Sequence, residues 1–306
     1  MTERAGPHDL ARVVINHGPT LMLETSQGDR YFAQSRRVTP PPVTGDQVQF
    51  VDLGGGQARI ERVLPRLSVF CRLEGRHQRR VVAANIDQIL LVFAASPQPE
   101  SDLMDRYLIA AQLLGLRPLL LMNKADLGDV ECEAAEALLR EYLALGYPGL
   151  RISATTGQGF DALRRRLNGA ASLLVGQSGV GKSALTNALI PGAANRVGAL
   201  SDALGTGRHT TTHTRWHPLP GDSALLDAPG VRDFKLWALT PRELMQGFPE
   251  FSALKPCRFA DCLHQHEPDC AVRQALDNGG IPARRYQHYQ RLLAQMQQTP
   301  AWRRRP

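Results

Sequence analysis

The sequence predicts a multidomain protein with an N-terminal β-barrel over residues 1–66, a central α/β domain over 67–236 and a C-terminal α-helical module over 237–306. Three observations predict this class. Short strand-like runs between Gly and Pro come first, long apolar runs then alternate with amphipathic stretches, and a cysteine-rich insert lies among the last helical stretches. A chain of 306 residues is long enough for two or three such domains.

The N-terminal region contains five β-rich runs: ARVVINHG, PTLMLET, RYFAQS, DQVQFVD and ARIERVL. The turn-forming stretches TPPPVTG and LGGG separate the later runs. Short strands with Gly and Pro between them are typical of a small barrel. An OB-fold is the favoured interpretation, and another small β-domain, such as an SH3-like barrel, is the alternative.

The central region alternates between strand-like and helix-like segments. The predicted strands are IDQILLVFAA, RPLLLMNKAD, LRISA, ASLLVG and SALLDAPG, and the predicted helices are SDLMDRYLIAAQLLG, a segment near 131–145, GFDALRRRL and GKSALTNALI. Continuous apolar runs are typical of strands that are buried on both faces. The alternation therefore predicts a parallel sheet with helical crossovers.

The stretch GQSGVGKS at residues 176–183 matches the phosphate-loop pattern Gly-x-x-x-x-Gly-Lys-Ser between a strand and a helix. Its glycines allow backbone N–H groups to face an anion, and the helix N-terminus adds its dipole. Lys182, also a predicted catalytic residue, can reach the β- and γ-phosphates, and Ser183 can hold Mg²⁺. The alternative is an ordinary glycine-rich turn. The predicted nucleotide contacts are Gly176, Gln177, Ser178, Gly179, Val180, Gly181, Lys182, Ser183 and Ala184.

Two further stretches follow the phosphate loop. DAPG at residues 227–230 ends an apolar strand, so Asp227 is predicted to hold Mg²⁺ directly or through water, and Gly230 to donate its N–H to the γ-phosphate. GTGRHTTTHTRW at residues 205–216 is predicted to be a switch loop, with an ordinary polar loop as the alternative. One hydroxyl among Thr210, Thr211 and Thr212 is the expected magnesium ligand, and Thr211 or Thr212 is favoured.

The stretch NKAD at residues 123–126 has the pattern with which guanine is recognised. Asp126 can accept hydrogen bonds from guanine N1–H and the 2-amino group, which adenine lacks, and such discrimination reaches about 10⁴-fold. Asn123 is expected to meet the Hoogsteen edge and to brace the phosphate loop, and the Lys124 stem to cover the base. At the next strand end, Ser153 is expected to orient its loop so that the Ala154 region donates an N–H to guanine O6.

The order of these motifs along the chain is base, base, phosphate, switch and metal, whereas a GTPase ordinarily begins with its phosphate loop. A parallel sheet needs only its strand ends brought together, so the order predicts a circularly permuted P-loop GTPase. Val231 occupies the position where a water-positioning Gln is expected. The catalytic group is then expected from His209 or from a partner, and the intrinsic rate is expected to be slow.

The stretch CRFADCLHQHEPDC at residues 257–270 is the second chemical feature. Cys257, Cys262, His264 and Cys270 are predicted to form a closed, structural zinc site, and His266 competes with His264 for the role of the imidazole ligand. Free cysteines packed in a core are the alternative. The clustering of cysteines also indicates a reducing compartment.

Charge and the last helix bear on partners. The net charge is +7, which favours an anionic partner such as nucleic acid, although the predominance of Arg is also consistent with compositional bias. The helix PARRYQHYQRLLAQMQQ combines Arg284, Arg285 and Arg291 with two tyrosines, Tyr286 and Tyr289. It is interpreted either as an RNA contact or as a solvated basic face with the tyrosines packed inward.

The sequence contains neither a run that would span a bilayer nor an apolar signal segment, so membrane association and export are not expected. The barrel, the motifs GQSGVGKS, GRHTTT, DAPGVR and NKAD, and the cysteine cluster together resemble the ribosome small-subunit-dependent GTPase family RsgA, also called YjeQ. That resemblance covers essentially the whole chain.

The resemblance implies a bacterial cytoplasmic protein with an OB-fold that binds GTP or GDP. It also implies binding to the small (30S) ribosomal subunit and its rRNA, a role in late subunit maturation and stimulation by the subunit. A monomer is the default expectation. The alternatives are a GTPase of another RNA assembly and a nucleotide-gated RNA-binding scaffold.

Overall fold

The computed structural model describes residues 9–18, 20–34, 38–74, 78–190, 214–227 and 234–297. The predictions for His209, Thr210, Thr211, Thr212, Gly230 and Val231 lie outside the described residues. Within those that are described, no helix has both the length and the apolar character needed to cross a membrane.

The N-terminal unit is a five-stranded barrel formed by β1 (Asp9–His17), β2 (Thr20–Thr25), β3 (Arg30–Gln34), β4 (Gln47–Gly54) and β5 (Gln57–Val63). The pairing order is β1-β2-β3-β5-β4, and β4 pairs again with β1, which closes the barrel. Alternate inward side chains such as Val13, Leu21, Leu23, Val48 and Phe50 fill its interior. The predicted barrel is confirmed, and its strand order is that of an OB-fold.

A hairpin that the sequence did not predict connects the barrel to the central sheet. It consists of β6 (Val69–Glu74) and β7 (Gln78–Ala84), which form a separate two-stranded antiparallel sheet. The segment CRLEGRHQRR carries many charges and has no clear apolar alternation. The hairpin is stabilised by three buried residues that pack against other elements of the fold: Phe70, Cys71 and Ala83. The local sequence therefore does not indicate the hairpin.

The central sheet contains five parallel strands, in the order β10-β9-β8-β11-β13. Their bounds are β8 (Gln88–Ala94), β9 (Arg117–Asn123), β10 (Gly149–Arg151), β11 (Ala171–Val175) and β13 (Ser223–Asp227). Every residue of β8 is buried, because neighbouring strands and helices on both faces cover it. Ile89, Leu91 and Phe93 belong to the core on one face, and Leu90 and Val92 to the core on the other. The predicted parallel α/β domain is confirmed.

An additional strand, β12 (Arg215–Leu219), pairs antiparallel with β13. The sequence interpretation had assigned Arg215 and Trp216 to the end of the switch loop, and that boundary is wrong: both residues lie in the strand. The turn to β13 contains Gly221 and Asp222, both with positive φ. The Pro-Gly-Asp stretch that forms this turn was a usable hairpin signal.

In its described residues, the central domain has four α-helices: α1 (Ser101–Leu113), α2 (Asp129–Ala144), α3 (Phe160–Leu167) and α4 (Lys182–Leu189). α1 and α2 share the core on one face of the sheet, and α3 and α4 share the core on the other face. Within residues 234–297, four more helices follow: α5 (Pro241–Gln246), α6 (Pro249–Ser252), α7 (Ala271–Asp277) and α8 (Ala283–Gln297).

The barrel contacts the central sheet through β12. Ile15 of β1 pairs with Arg215, and the buried Thr44 hydroxyl donates to the Thr214 carbonyl over 2.9 Å. Gly45 has φ +94°, and a Cβ there would lie 2.1 Å from the Ala84 carbonyl oxygen. A glycine is therefore required where the barrel loop approaches the end of β7.

The C-terminal helix α8 packs onto α1 through ion pairs. Asp105 of α1, which is fully buried, accepts hydrogen bonds from Arg284 at 2.8 Å and from Arg285 at 2.7 Å. Arg285 is itself fully buried and also pairs with Glu250. The interpretations of this helix as an RNA contact and as a solvated basic face are therefore wrong for Arg285. Tyr286 and Tyr289 are packed inward, as the second interpretation expected.

Candidate functional site

The phosphate loop runs from the end of β11 directly into α4. Gly176, Gly179 and Gly181 have φ values of +133°, +80° and +95°, which side chains other than glycine rarely adopt. A Cβ at Gly176 would lie 2.1 Å from the Val92 carbonyl oxygen. At Gly181 it would lie 2.4 Å from Nδ2 of Asn123. The loop is therefore packed between β8 and the Asn123 amide, with no space for larger residues at these two positions.

Lys182 lies on the inner side of this loop. Its Nζ donates to the carbonyl oxygens of Gly176 at 2.8 Å and Gln177 at 2.6 Å. Tyr107 of α1 also contacts the loop, since its hydroxyl makes a hydrogen bond with the Gly176 backbone. Burial raises the pKa of Tyr107 well above its ordinary value, so the hydroxyl stays neutral. Sequence reasoning missed Tyr107, because a buried helix tyrosine gives no local sign of what it touches.

Asp227 ends β13 beside the phosphate loop, and Leu174 of β11 is its partner in the pairing register. Burial raises the pKa of Asp227, and the nearby cations Lys182 and Arg215 oppose that effect. A buried carboxylate is costly to ionise unless a cation lies beside it. The Asp227 carboxylate is therefore suited to bind a divalent metal ion. Ser183, the other described candidate for magnesium, is exposed at the start of α4.

The Asn123 side chain connects the end of β9 to two other loops. Its Nδ2 donates to the Val180 carbonyl at 2.9 Å, and its Oδ1 accepts from the Ala154 backbone N–H at 3.0 Å. The side chain is buried, so both bonds are protected from water. The predicted contact of Asn123 with the phosphate loop is present in the structure.

Asp126 and Ser153 form a second link between loops. The Ser153 hydroxyl donates to Oδ1 of Asp126 over 2.5 Å and accepts from the backbone N–H groups of Thr155 and Thr156. Ser153 is fully buried, whereas Asp126 is exposed. The hydroxyl therefore orients a carboxylate that remains open to a ligand, and it shapes the loop that follows β10.

The loop after β8 also reaches the site, and sequence reasoning did not anticipate it. Lys124 Nζ donates to the Ser96 carbonyl at 2.6 Å, and the Glu100 backbone N–H donates to Oε1 of Gln177 at 3.4 Å. Pro97 lies against Gly179, with its ring 3.5 Å from where a Cβ would stand. The general rule that loops at the carboxyl ends of parallel strands line a site would have indicated this segment.

All these loops follow the carboxyl ends of parallel strands and therefore meet at one edge of the sheet. The chain runs outward from β8 through β9 to β10, returns to β11 beside β8, and then continues the other way to β13. The direction thus reverses between β8 and β11, which is where a doubly wound sheet opens a ligand crevice. The phosphate loop begins at that crevice.

A second cluster lies before α7. Nδ1 of His264 is 3.4 Å from the Sγ atoms of Cys262 and Cys270 and 3.6 Å from that of Cys257, and the Cys257 and Cys270 sulfurs are 4.0 Å apart. A tetrahedral zinc ion with ordinary bond lengths has ligands separated by about 3.5–3.8 Å, so these four atoms fit zinc. His266 is exposed and lies outside the cluster, which favours His264 as the imidazole ligand.

Neighbouring side chains hold the cluster in shape. Burial opposes ionisation of Glu267, but backbone N–H groups of Leu263, Gln265 and His266 donate to its carboxylate and lower its pKa to about 2. The Tyr286 and Tyr289 hydroxyls of α8 donate to the carbonyls of His264 and Leu263. The cysteine loop is therefore stabilised both by hydrogen bonds within the loop and by hydrogen bonds from α8.

The fold and this site define a class of protein, the circularly permuted P-loop GTPases, because guanine-type loops precede the phosphate loop in one doubly wound sheet. The RsgA GTPase family model matches residues 63–237, which is more than half of the chain. The small ribosomal subunit biogenesis GTPase RsgA of Ectopseudomonas mendocina is 46% identical over 95% of this chain and 87% of that protein. The protein of the same name in Pseudomonas aeruginosa is 45% identical, over 96% of this chain and 87% of that protein.

Solved structures are similar as well. The crystal structure of YjeQ from Thermotoga maritima has a TM-score of 0.76 and 28% identity, and the match covers 96% of this chain and 100% of that one. The structure of YloQ, a circularly permuted GTPase, has a TM-score of 0.71, and the match covers 98% of this chain and 99% of that one. Its sequence identity is 21%, so this similarity supports the fold alone. The chain therefore belongs to the RsgA GTPase family.

Proposed function

We propose that this protein is a GTP hydrolase that binds the small (30S) ribosomal subunit and assists its late maturation, with hydrolysis triggering release. One observation carries the nucleotide part of the proposal. Loops that are far apart in the sequence meet at one sheet edge, where Asn123 bonds both to Val180 of the phosphate loop and to Ala154. The names of the relatives support the ribosomal part.

Guanine is read by Asp126, with Asn123 and Lys124 beside the base and Ser153 and Ala154 on the O6 side. The phosphates lie on residues 176–184, where Lys182 compensates the charge that develops between the β- and γ-phosphates. Residues outside the described part of the chain complete this assignment: Gly230 at the γ-phosphate and His209 as the candidate catalytic helper. Because Val231 cannot orient water, turnover by the isolated protein is slow.

Ser183, Asp227 and either Thr211 or Thr212 hold Mg²⁺. The ion, when bound, neutralises charge on the β- and γ-phosphates. One zinc ion on Cys257, Cys262, His264 and Cys270 has a structural role, because four protein ligands leave no open position for chemistry.

The partners are GTP or GDP and the small subunit with its rRNA, and the protein works as a cytoplasmic monomer without a membrane. The division into residues 1–66, 67–236 and 237–306 assigns RNA contacts to the barrel and the zinc module, and the timing of release to the central domain. The positive net charge supports an rRNA partner.

A GTPase assay with purified small subunits tests the proposal. We expect slow hydrolysis by the protein alone and strong stimulation by small subunits. Lys182→Ala removes the charge that faces the β- and γ-phosphates, and we expect a loss of at least about 10²-fold in subunit-stimulated turnover. Lys235→Ala serves as the matched control, because Lys235 is exposed and lies outside the phosphate loop.

The same assay separates the alternatives. Equal stimulation by unrelated RNA indicates a GTPase of another RNA assembly. Binding of GTP without turnover under any of these conditions indicates a nucleotide-gated scaffold and contradicts the proposed hydrolase.

A further inference from the structure

A cavity of about 700 Å³ lies between the barrel and the amino edge of the central sheet. Arg12 of β1 and Trp216 of β12 line it together with Ile86 and with Ala171 at the start of β11. Because β8, β9 and β11 begin at this edge and the nucleotide-site loops follow the opposite ends of these strands, the cavity is separate from the nucleotide site. Its volume is in the range of ligand-binding cavities, which commonly lie between packed structural units.

One wall of the cavity is a stacked pair. The Arg12 guanidinium lies over the Trp216 ring, with Cζ 4.2 Å from the ring centroid. The guanidinium donates a hydrogen bond to the Gly45 carbonyl at 3.2 Å, and among the described residues it has no carboxylate partner. A guanidinium that covers an indole with one face offers the other face to a second planar group, such as a nucleic-acid base.

Three arginines without ion pairs lie at or near the cavity, and Arg117 is one of its lining residues. Arg117 at the start of β9, and Arg165 and Arg166 in the last turn of α3, are exposed, and within the described part of the chain none has an acidic partner. Gln88 connects the backbones of two of them, because its side chain donates to the Arg166 carbonyl at 3.0 Å and Arg117 is its partner in the strand register. Exposed arginines without ion pairs attract phosphates.

Two carboxylates restrict what can enter. Asp87 and Asp222 also line the cavity, and Asp87 accepts a hydrogen bond from the Ala171 backbone N–H at 2.7 Å. They repel a phosphate from the interior, but they can accept hydrogen bonds from the amino groups of a base. A base inside and phosphates outside on the arginines is therefore the arrangement that satisfies both sets of charges.

We propose that this face binds single-stranded RNA, with the base of one unpaired nucleotide stacked on Arg12 inside the cavity and the adjoining phosphates on Arg117, Arg165 and Arg166. The inference rests on the proposed function, since the small subunit supplies the RNA, and it names a surface through which that RNA is held. Single strands are favoured over duplexes because a paired base cannot leave its stack without losing its partner.

Fluorescence anisotropy with the full-length, zinc-loaded protein tests this surface. The probes are a labelled single-stranded RNA of about ten nucleotides and a duplex of the same sequence. Arg12→Lys keeps the charge but removes the flat stacking face, so we expect about tenfold weaker binding of the single strand, with little change for the duplex. The double variant Arg117→Gln/Arg166→Gln removes two phosphate contacts, and the slope of log affinity against log salt falls by roughly 0.7 for each arginine.

Arg140→Gln is the matched control, because Arg140 is an exposed arginine on α2. Unchanged melting temperature and unchanged intrinsic GTP hydrolysis establish that the variants are folded. The inference is overturned if Arg12→Lys binds the single strand like the wild type, or if the double variant keeps the full salt slope. A failure of wild-type protein to respond to small subunits contradicts the proposed function instead, so the two ideas fail by different measurements.

Discussion

At the scale of single residues, the nucleotide site depends on a few polar side chains that each connect several loops. Asn123 bonds to two loops at once, and Ser153 both orients Asp126 and accepts two backbone N–H groups. Sequence motifs identify such residues because their types are restricted by this geometry. Tyr107 shows the opposite case, since its contact with Gly176 depends on the packing of α1 and leaves no motif.

Asp126→Asn tests guanine recognition. The amide presents a donor where the carboxylate accepts from guanine N1–H and the 2-amino group, so we expect GTP affinity to fall by about 10²-fold or more. Xanthosine triphosphate carries an oxygen in place of the 2-amino group, and its affinity should rise. Isothermal titration calorimetry with both nucleotides measures the exchange. Asp161→Asn, an exposed aspartate on α3, should leave both affinities unchanged.

At the scale of elements, α8 is held to α1 by a buried network with Asp105 at its centre. Four groups donate to that carboxylate: Arg284, Arg285, His288 and Tyr142. Burial alone would raise the pKa of Asp105, but the facing Arg285, the His288 hydrogen bond and Arg284 outweigh it and hold the pKa well below its ordinary value. The network makes α8 part of the central domain's core, rather than a free RNA-binding helix.

Asp105→Asn tests this network. It leaves Arg285 buried beside a neutral amide, and we expect the free energy of unfolding to fall by about 3–5 kcal/mol. Asp102→Asn is the matched control on the same helix, because Asp102 pairs with Arg291 at a half-exposed position and should cost less than about 1 kcal/mol. Denaturant unfolding at neutral pH compares the two variants.

The pH dependence of unfolding gives a second measurement on the same pair of variants. A carboxyl whose folded pKa is depressed stabilises the fold above its unfolded pKa of about 4, and this contribution is lost as pH falls further. Wild type and Asp102→Asn should show this loss below about pH 4, and Asp105→Asn should lack much of it. Identical pH profiles for Asp105→Asn and wild type would contradict the role assigned to Asp105.

The cysteine cluster gives another prediction for an element. His264→Ala removes a ligand from the centre of the cluster, whereas His266→Ala changes an exposed side chain. Metal analysis of the purified variants should find one zinc per chain for wild type and His266→Ala and much less for His264→Ala. A chelator should destabilise the C-terminal region, because binding of a structural zinc contributes directly to folding. Zinc loss in His266→Ala with retention in His264→Ala would reverse the ligand assignment.

At the scale of the whole molecule, the two flanking regions are attached to the central domain differently. The C-terminal helices share one continuous core with α1 and α2, through side chains such as Phe248, Tyr289 and Leu293. The barrel has a core of its own and contacts the central sheet through β12 and through Thr44 and Gly45. The C-terminal region therefore shares the core of the central domain, and the barrel is the more separable unit.

Thr44→Val tests that attachment. Thr44 is fully buried and its hydroxyl donates to the Thr214 carbonyl, so the isosteric change leaves an unpaired acceptor at a cost of about 1–3 kcal/mol. Hydrogen exchange should accelerate for β12 and the adjoining edge of the barrel, while exchange in α1 and α8 stays slow. Thr25→Val, at the partly exposed end of β2, is the control and should leave β12 protected. Protection of β12 equal to wild type in Thr44→Val would show that this contact does not hold the barrel.

The sequence by itself determined the five barrel strands, the parallel order of central strands and helices, the phosphate and guanine loops and the four zinc-type ligands. Each of these depends on short-range periodicity or on residues at fixed spacing, and both can be read directly from one sequence. Tertiary structure alone decided the hairpin β6–β7, the stacking of Arg12 on Trp216, the burial of Arg285 and the cavity at the amino edge. Those features arise where distant segments pack together, and the free energy that selects them comes from partners the local sequence does not contain.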